Sequence, residues 1–200
     1  MRASGRDRVT DIAVVVVHGL RLELILESLV NPGITIPPRV SLLTGISDAM
    51  VRDALSFEDV ADRLLTALAG RVFVAHNARF DWWFLSAELR RARGMTLTGP
   101  RLCTVALARR LLPQLESRSL DSLTHFFGLE NPARHRALGD ALVTARLFAR
   151  LIALARDQGA RTLADLEALS QRRRAASAAS AHLPGNRERL PWNVELDTRN

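Results

Sequence analysis

The chain has 200 residues, enough for one domain with a sizeable core, and its single cysteine, Cys103, excludes an internal disulfide and a cysteine-built zinc site. The net charge of +7 comes from arginine alone, because the sequence contains no lysine, and it favours a polyanionic partner only weakly. No apolar run approaches the ~20 residues that cross a bilayer, and MRASGRDR lacks the apolar part of a signal peptide. We therefore expect a cytoplasmic protein that does not contact a membrane.

The first predicted elements are two strands joined by a tight turn. The segment from Arg8 to Val17 is almost entirely apolar after its first residues, which predicts a strand buried on both faces. His18-Gly19 predicts the turn, and residues 21–30 alternate in the manner of a half-buried strand. The prolines and glycine of residues 31–38 predict an extended surface connection.

Helices and short strands alternate through the rest of the chain. Ser47 is predicted to cap a short helix that runs through Met50. The remaining predicted elements are a helix over 56–69, a strand over 72–75, a helix from about Asp81 to Gly94, a strand over 101–103, and helices over 104–112, 120–127, 136–156 and 162–170. On the longest helix, the predicted core stripe comprises Leu138, Ala141, Ala145, Phe148 and Ile152. We expect one domain over 1–170 and a basic, mostly disordered tail over 171–200.

Asp81 is predicted to lie on the inward face of its helix. Residues at three- and four-residue spacing from it, such as Phe84 and Leu85, are large and apolar. A carboxylate there costs several kcal/mol unless a positive group compensates it. Two interpretations remain open at this point: a residue of the helix cap or first turn stabilised by the helix dipole, or a metal ligand at the carboxyl end of the strand over 72–75.

A second polar stretch, HRALGD, covers residues 135–140. His135 is predicted at the entrance of the longest helix and Asp140 near its second turn, beside the core stripe. Either stretch alone is a common helix start. Together they suggest that Asp81 and Asp140 converge on a divalent metal, with the histidine within reach.

The two stretches also carry a family resemblance. HNARFD at 76–81 and HRALGD at 135–140 resemble the second and third motifs of the DEDDh 3′–5′ exonucleases, the family of the proofreading epsilon subunit of bacterial replicative polymerases. LVNPG at 29–33, LTGISDAMV at 43–51 and LCTVALARRLLP at 102–113 are similar to that family as well. The resemblance covers roughly residues 7 to 155.

The resemblance implies a fold, a reaction and residue roles. The fold would be α/β and ribonuclease H-like, a five-stranded mixed sheet flanked by helices. Asp81 and Asp140 would be metal ligands, and His135 would be the general base that deprotonates the attacking water. Two Mg²⁺ or Mn²⁺ ions would hold the terminal phosphodiester, with release of a nucleoside 5′-monophosphate. His76, Asn77 and Phe80 match motif positions that shape the site and contact substrate.

One part of the family pattern is absent from this sequence. The first motif, Asp-x-Glu-Thr-Thr-Gly, normally lies on the central strand of the sheet and gives two of the four carboxylates. Residues 8–17 match the second strand of the family, so we expect the central strand to be missing and its two neighbours to lack a partner. We also expect Met1 to be an internal methionine of a longer reading frame. The DNA upstream should then encode the motif in frame.

Two functions from different classes are compatible with this pattern. The first is a metal-dependent 3′–5′ exonuclease acting on a single-stranded or frayed DNA 3′ end in proofreading or repair, with a DNA polymerase subunit as a candidate partner. The chain as given would have little activity, because two carboxylates bind a metal pair poorly. The alternative is a catalytically inactive nucleic-acid-binding or polymerase-associated module that kept the scaffold. Trp82 and Trp83 are candidates for base stacking or for packing.

Overall fold

The computed structural model describes residues 7–19 and 21–171, so the predicted tail lies outside the described residues apart from Gln171, which ends the last helix. The described part is an α/β structure, as predicted. Its strands are β1 (Asp11–His18), β2 (Arg21–Asn31), β3 (Leu55–Ser56), β4 (Phe73–Ala75) and β5 (Arg101–Cys103). Its helices are α1 (Pro38–Thr44), α2 (Asp48–Val51), α3 (Phe57–Leu68), α4 (Ala78–Arg93), α5 (Thr104–Leu111), α6 (Leu120–Phe127), α7 (Ala137–Asp157) and α8 (Leu163–Gln171).

The strands form two separate sheets. In the first, β1 pairs antiparallel with β2, and β2 pairs parallel with β3. In the second, β4 pairs parallel with β5. Among the described residues β1 and β4 do not pair with each other, so each keeps one edge without a strand neighbour. This is the mixed sheet with an interrupted centre that the sequence predicted.

The prediction that β1 is buried on both faces is wrong. Only Ile12 and Val16 are buried, at 6% exposure each, and the valines between them are half-buried. Within the described residues β1 is an edge strand, which leaves its open side less covered than the centre of a sheet. A bulge between Val14 and Val15 shifts its register against β2.

The predicted extended connection is also wrong in part. The connection ends at Pro37, because α1 begins at Pro38. Proline is favourable at the first position of a helix, since the N–H group that it lacks would have no partner within the helix there. The predicted cap of α2 is only partly right, because Ser47 is the N-cap residue but its side chain makes no capping hydrogen bond. Ser56 and Asp59 form a reciprocal capping box at the start of α3, and Ser119 caps α6. Both side chains satisfy N–H groups that the first helical turn leaves unpaired.

The described residues form two large hydrophobic cores and a small third cluster of Ile36, Ile46 and Val51. One packs β1 and β2 against α3 and α4, and its fully buried side chains include Leu26, Phe57, Leu64 and Leu89. The other packs α5, α6, α7 and α8 around β5. On α7 the buried residues are Gly139, Val143, Thr144, Ala145, Leu147, Phe148, Leu151 and Ala155. Of the predicted stripe, Ala145 and Phe148 are buried and the half-buried Ile152 packs against this core, whereas Leu138 and Ala141 are half-buried and do not belong to it.

A buried ion cluster ties α4 to the start of β1. Glu88 is 1% exposed, and its Oε1 accepts hydrogen bonds from Arg8 Nε at 2.8 Å and from the Val9 amide at 3.1 Å. Its Oε2 lies 3.3 Å from the guanidinium of Arg91. Arg8, Glu88 and Arg91 also line an open cavity of about 520 Å³. Two arginines thus compensate the charge that burial would otherwise make unfavourable.

Across the described ranges, no helix combines the length and the apolar character that a membrane span requires.

Candidate active site

Asp81 lies one turn into α4, directly after β4. The helix begins at Ala78, three residues earlier than predicted, and its N-cap residue is Asn77 in the left-handed conformation with φ 69°. Asn77 makes no side-chain capping bond. Asp81 is therefore not the N-cap, but it does belong to the first turn, where the helix dipole favours a negative charge.

The carboxyl group of Asp81 is poorly compensated. The pKa of Asp81 is raised from 3.8 to about 6, mainly by burial; a backbone hydrogen bond opposes this rise and the negative charge of Asp140 adds to it. Asp81 forms no ion pair with any residue in the described part of the chain, in contrast to Glu88 on the same helix. An unpaired carboxylate on the inward face is the arrangement that a cation would stabilise.

Asp140 lies in the first turn of α7 and is close enough to Asp81 for their charges to interact. Asn131 holds it in place, because the Asn131 Nδ2 donates a hydrogen bond of 2.8 Å to Asp140 Oδ1. The loop that carries Asn131 crosses α7 at Gly139. A Cβ at this glycine would lie 2.8 Å from both the carbonyl carbon and the Cβ of Ala133, and closer still to the carbonyl oxygen. The glycine thus permits the close approach that brings Asn131 to Asp140.

His76 lies close enough to Asp140 for the negative charge of that carboxylate to act on its ring. Its Nδ1 is 2.9 Å from the hydroxyl of Thr104, which fixes the ring against the start of α5. Burial lowers its pKa below 6.5, while a hydrogen bond to the backbone of Arg118 and the charge of Asp140 act in the opposite direction. At neutral pH the ring is therefore uncharged, and it can shape the site without neutralising the carboxylates.

His135 and Asn77 share an unusual backbone. They are the described non-glycine residues with positive φ, at 61° and 69°. Asn77 is the N-cap residue of α4, which carries Asp81, and His135 lies two residues before the start of α7, which carries Asp140. Histidine and asparagine tolerate this conformation better than most residues, and such strain concentrates at functional sites. The side chain of His135 is exposed and makes no hydrogen bond within the described residues. The structure therefore places it at the entrance of α7, next to Asp140 in sequence but not bonded to it.

Asp11 is a residue of this region that the sequence analysis missed. It opens β1, yet its Oδ2 accepts hydrogen bonds from Arg136 Nε at 2.9 Å and from the amide of Ala137 at 3.0 Å. The side chain thereby caps α7 from another element and fixes the segment that carries His135 and Asp140. The available signal was an acidic residue at the start of an otherwise apolar strand.

Asp11→Ala should lower the free energy of unfolding by about 1 to 2 kcal/mol, the usual effect of losing a helix-capping side chain. It also leaves the guanidinium of Arg136 without its partner. Urea unfolding measures the loss, and Asp11→Asn, which keeps an acceptor oxygen, should recover part of it. Equal stability of Asp11→Ala and the wild type would contradict the capping role.

The carboxylates fit a divalent cation in charge and chemistry. Asp81 and Asp140 offer hard oxygen ligands, repel each other, and form no ion pair among the described residues. However, no group of three or more His, Cys, Asp or Glu side chains within residues 7–19 and 21–171 is arranged to hold a metal ion. Within the described residues, Asp81 and Asp140 are therefore two candidate ligands and do not form a complete metal site.

Comparisons with known proteins agree with this geometry. A family model described as an exonuclease, of the RNase T type, matches residues 1–148. The epsilon subunit of DNA polymerase III from Aquifex aeolicus is 35% identical over 147 residues, which cover 74% of this chain and 73% of that protein. The PolC-type DNA polymerase III of Caldanaerobacter subterraneus is 32% identical over 167 residues, 84% of this chain. This chain spans only 12% of that polymerase.

A solved structure gives the same result. Exonuclease X in complex with 5′ overhanging duplex DNA superposes with a TM-score of 0.65 at 27% identity, covering 84% of this chain and 93% of that one. The predicted ribonuclease H-like fold and the predicted family are thereby confirmed. The chain belongs to the exonuclease family that includes the epsilon-type subunits of bacterial DNA polymerase III.

Proposed function

We propose that the site around Asp81 and Asp140 serves the hydrolysis of the 3′-terminal phosphodiester of DNA, with release of nucleoside 5′-monophosphates. The observation that carries this proposal is the electrostatic coupling of the two carboxylates, one from each family motif, in an exonuclease fold. Their residue types, their unpaired charges and their positions in the first turns of α4 and α7 are all consistent with phosphodiester chemistry.

Each residue of the site has a proposed role. Asp81 and Asp140 would hold Mg²⁺ or Mn²⁺, which when bound supplies charge neutralisation at the scissile phosphate. His135 would accept the proton of the attacking water at an imidazole nitrogen, and histidine is the side chain that most often acts as a general base. Its exposed position at the entrance of α7 leaves it accessible to water and substrate.

His76, Asn77 and Phe80 would shape the site. His76 buttresses the region through Thr104 at 2.9 Å. Asn77 sets the left-handed turn that starts α4, and Phe80, 40% exposed, presents its ring beside Asp81 to substrate. None of these three groups needs to change protonation in the proposed reaction.

DNA is the proposed substrate, with a polymerase subunit as the proposed partner. The solved relative is bound to duplex DNA with a 5′ overhang, and two of the curated relatives are polymerase III proteins. A role in proofreading or repair follows from these similarities and agrees with the predicted cytoplasmic location. Because the phosphate backbone carries most of the contacts in such sites, the chemistry of this site does not itself separate DNA from RNA.

The test is release of mononucleotides from 3′-labelled single-stranded DNA in the presence of Mn²⁺ or Mg²⁺. Because the described residues supply two ligands, we expect slow release by the 200-residue chain. Release should rise when a segment carrying Asp-x-Glu-Thr-Thr-Gly is fused ahead of Met1. Asp140→Asn in that fused chain should lower the rate of nucleotide release at least roughly hundredfold. Losses of this order follow the removal of groups that support a metal site. Activity of the fused chain that survives Asp140→Asn would contradict the assigned site.

A nucleic-acid-binding module without catalysis is the second candidate function. It is favoured by one observation, the absence of a three-ligand metal group within the described residues. In that case the fused chain would bind single-stranded DNA and release no nucleotide under either metal.

A further inference from the structure

The outer face of α4 combines exposed aromatic rings with arginines. We call it the aromatic-basic face and define it as Arg79, Phe80, Trp83, Phe84 and Arg90. Phe80 is 40% exposed and Trp83 is 38% exposed, while both arginines are exposed as well. Exposed rings of this size are uncommon on a helix whose inward face already packs into a core.

The rings on this face are held by one another rather than by the core. Phe84 packs against Phe80 with ring centroids 4.7 Å apart, and against Trp83 edge-on at 5.3 Å. Trp82, by contrast, packs edge-on against Phe73 at 5.4 Å and lies beneath the guanidinium of Arg101. Of the two tryptophans, Trp82 is thus a packing residue and Trp83 presents its ring to solvent.

The charge of the aromatic-basic face has one sign. The two acidic residues of α4, Asp81 and Glu88, are not on it, because Glu88 is buried and Asp81 lies on the inward side. Neither Arg79 nor Arg90 makes an ion pair with a residue that the structure describes. The two arginines lie at opposite ends of the rings, about 16 Å apart along the helix axis at 1.5 Å per residue.

We propose that the aromatic-basic face binds single-stranded nucleic acid, with bases stacked on Phe80 and Trp83 and phosphates paired with Arg79 and Arg90. Flat rings between positive groups are the surface that binds single strands irrespective of sequence. A protein partner is less well matched, because two separate rings make a small apolar contact. The inference rests on the proposed function in one respect: the bound nucleic acid would reach the proposed active site through Asp81, which lies on the same helix.

The first test measures the affinity of the 200-residue chain for a fluorescein-labelled oligothymidylate, by anisotropy in EDTA. Trp83→Ala should weaken binding roughly tenfold, since stacking of one base on an aromatic side chain has an effect of this order. Phe126→Ala is the matched control: Phe126 is 46% exposed but lies on α6, and its removal should leave the affinity unchanged. Trp83→Phe keeps a ring and should fall between the wild type and Trp83→Ala, which separates lost stacking from lost folding.

The second test uses salt. Arg79→Gln and Arg90→Gln should each reduce the slope of log affinity against log salt concentration by about 0.7, the value expected for one phosphate contact to a single strand. Affinity of Trp83→Ala equal to that of Phe126→Ala would overturn the proposal, and so would an unchanged salt slope in both arginine variants. If the face binds a protein instead of nucleic acid, these variants should likewise leave the affinity for the oligonucleotide and its salt dependence unchanged.

The outcome is separable from that of the proposed function. Binding is measured in EDTA, where no metal-dependent hydrolysis occurs. A chain that binds the oligonucleotide through Trp83 and releases no nucleotide contradicts the proposed hydrolysis alone. Nucleotide release that is insensitive to Trp83→Ala, together with unchanged affinity, contradicts this inference alone.

Discussion

Gly139→Ala is expected to destabilise the protein by about 3 kcal/mol, at the upper end of the range for overpacked sites. The added Cβ would lie 2.8 Å from two carbon atoms of Ala133 and closer to its carbonyl oxygen. These are largely backbone atoms of a loop that crosses α7, so no flexible side chain can move aside. The loop itself has to shift, and with it the hydrogen bond from Asn131 to Asp140.

The sign of this effect is opposite to that expected from helix propensity. In a helix interior, alanine is favoured over glycine by about 1 kcal/mol. The clash should exceed this gain, because close-packed interiors relax only partly around added atoms. Urea unfolding of the wild type and Gly139→Ala measures the net effect. Ala149→Gly, on the same helix, is the control for propensity alone and should destabilise by about 1 kcal/mol.

A second measurement on Gly139→Ala reports on the proposed metal site. The shifted loop should also weaken the response of the protein to Mn²⁺, measured as the increase in Tm with added metal, because Asn131 no longer positions Asp140. A Gly139→Ala variant that is more stable than the wild type would show that the loop does not cross the helix as closely as the structure has it.

Asp81→Asn is expected to stabilise the metal-free protein above pH 6 and to leave its stability unchanged near pH 4. The folded protein holds the Asp81 proton up to about pH 6, whereas the unfolded chain releases it near 3.8. Between these values the native state binds more protons, so the free energy of unfolding falls as the pH rises through this window. The raised pKa of Asp81 corresponds to a loss of about 3 kcal/mol at most in the free energy of unfolding. Partial exposure of the side chain reduces our expectation to about 2 kcal/mol.

Glu88→Gln is the matched control on the same helix and should act with the opposite sign. Its carboxylate faces Arg8 and Arg91, so removal of the charge leaves two arginines with less compensation. We expect a destabilisation of about 2 to 3 kcal/mol at neutral pH, below the range for fully buried pairs because both arginines are partly exposed. The contrast separates a structural carboxylate from one that is held in place for a ligand.

Urea unfolding at pH 4, 5, 6 and 7.5 measures both variants. Added Mn²⁺ should raise the Tm of the wild type and not that of Asp81→Asn, because a bound cation stabilises only the charged form. Equal pH dependence of Asp81→Asn and the wild type would contradict the raised pKa of Asp81. Stabilisation by Glu88→Gln would contradict the compensating role of the two arginines.

The sequence by itself determined most of the local structure and pointed to the residues of the proposed site. Alternating and helical periodicities placed most of the strands and helices of the described residues, although they missed α1 and β3, and Gly94 marked the end of α4 through capping chemistry that acts within a few residues. The stretches HNARFD and HRALGD identified the family and the residues for the proposed site. Such features are readable because their physical causes are local.

Only the tertiary structure decided how those parts meet. Asp81 and Glu88 look alike in the sequence, because both are acidic residues on the same helix. In the structure, Arg8, which lies just before β1, compensates the charge of Glu88, whereas the charge of Asp81 is not compensated. The cap of α7 by Asp11 joins residues 125 positions apart, and Gly139 acquires its importance from a loop that crosses it. Electrostatic compensation and steric contact depend on distance in space, so the interrupted sheet and the coupling of Asp81 to Asp140 emerge only when the chain is folded.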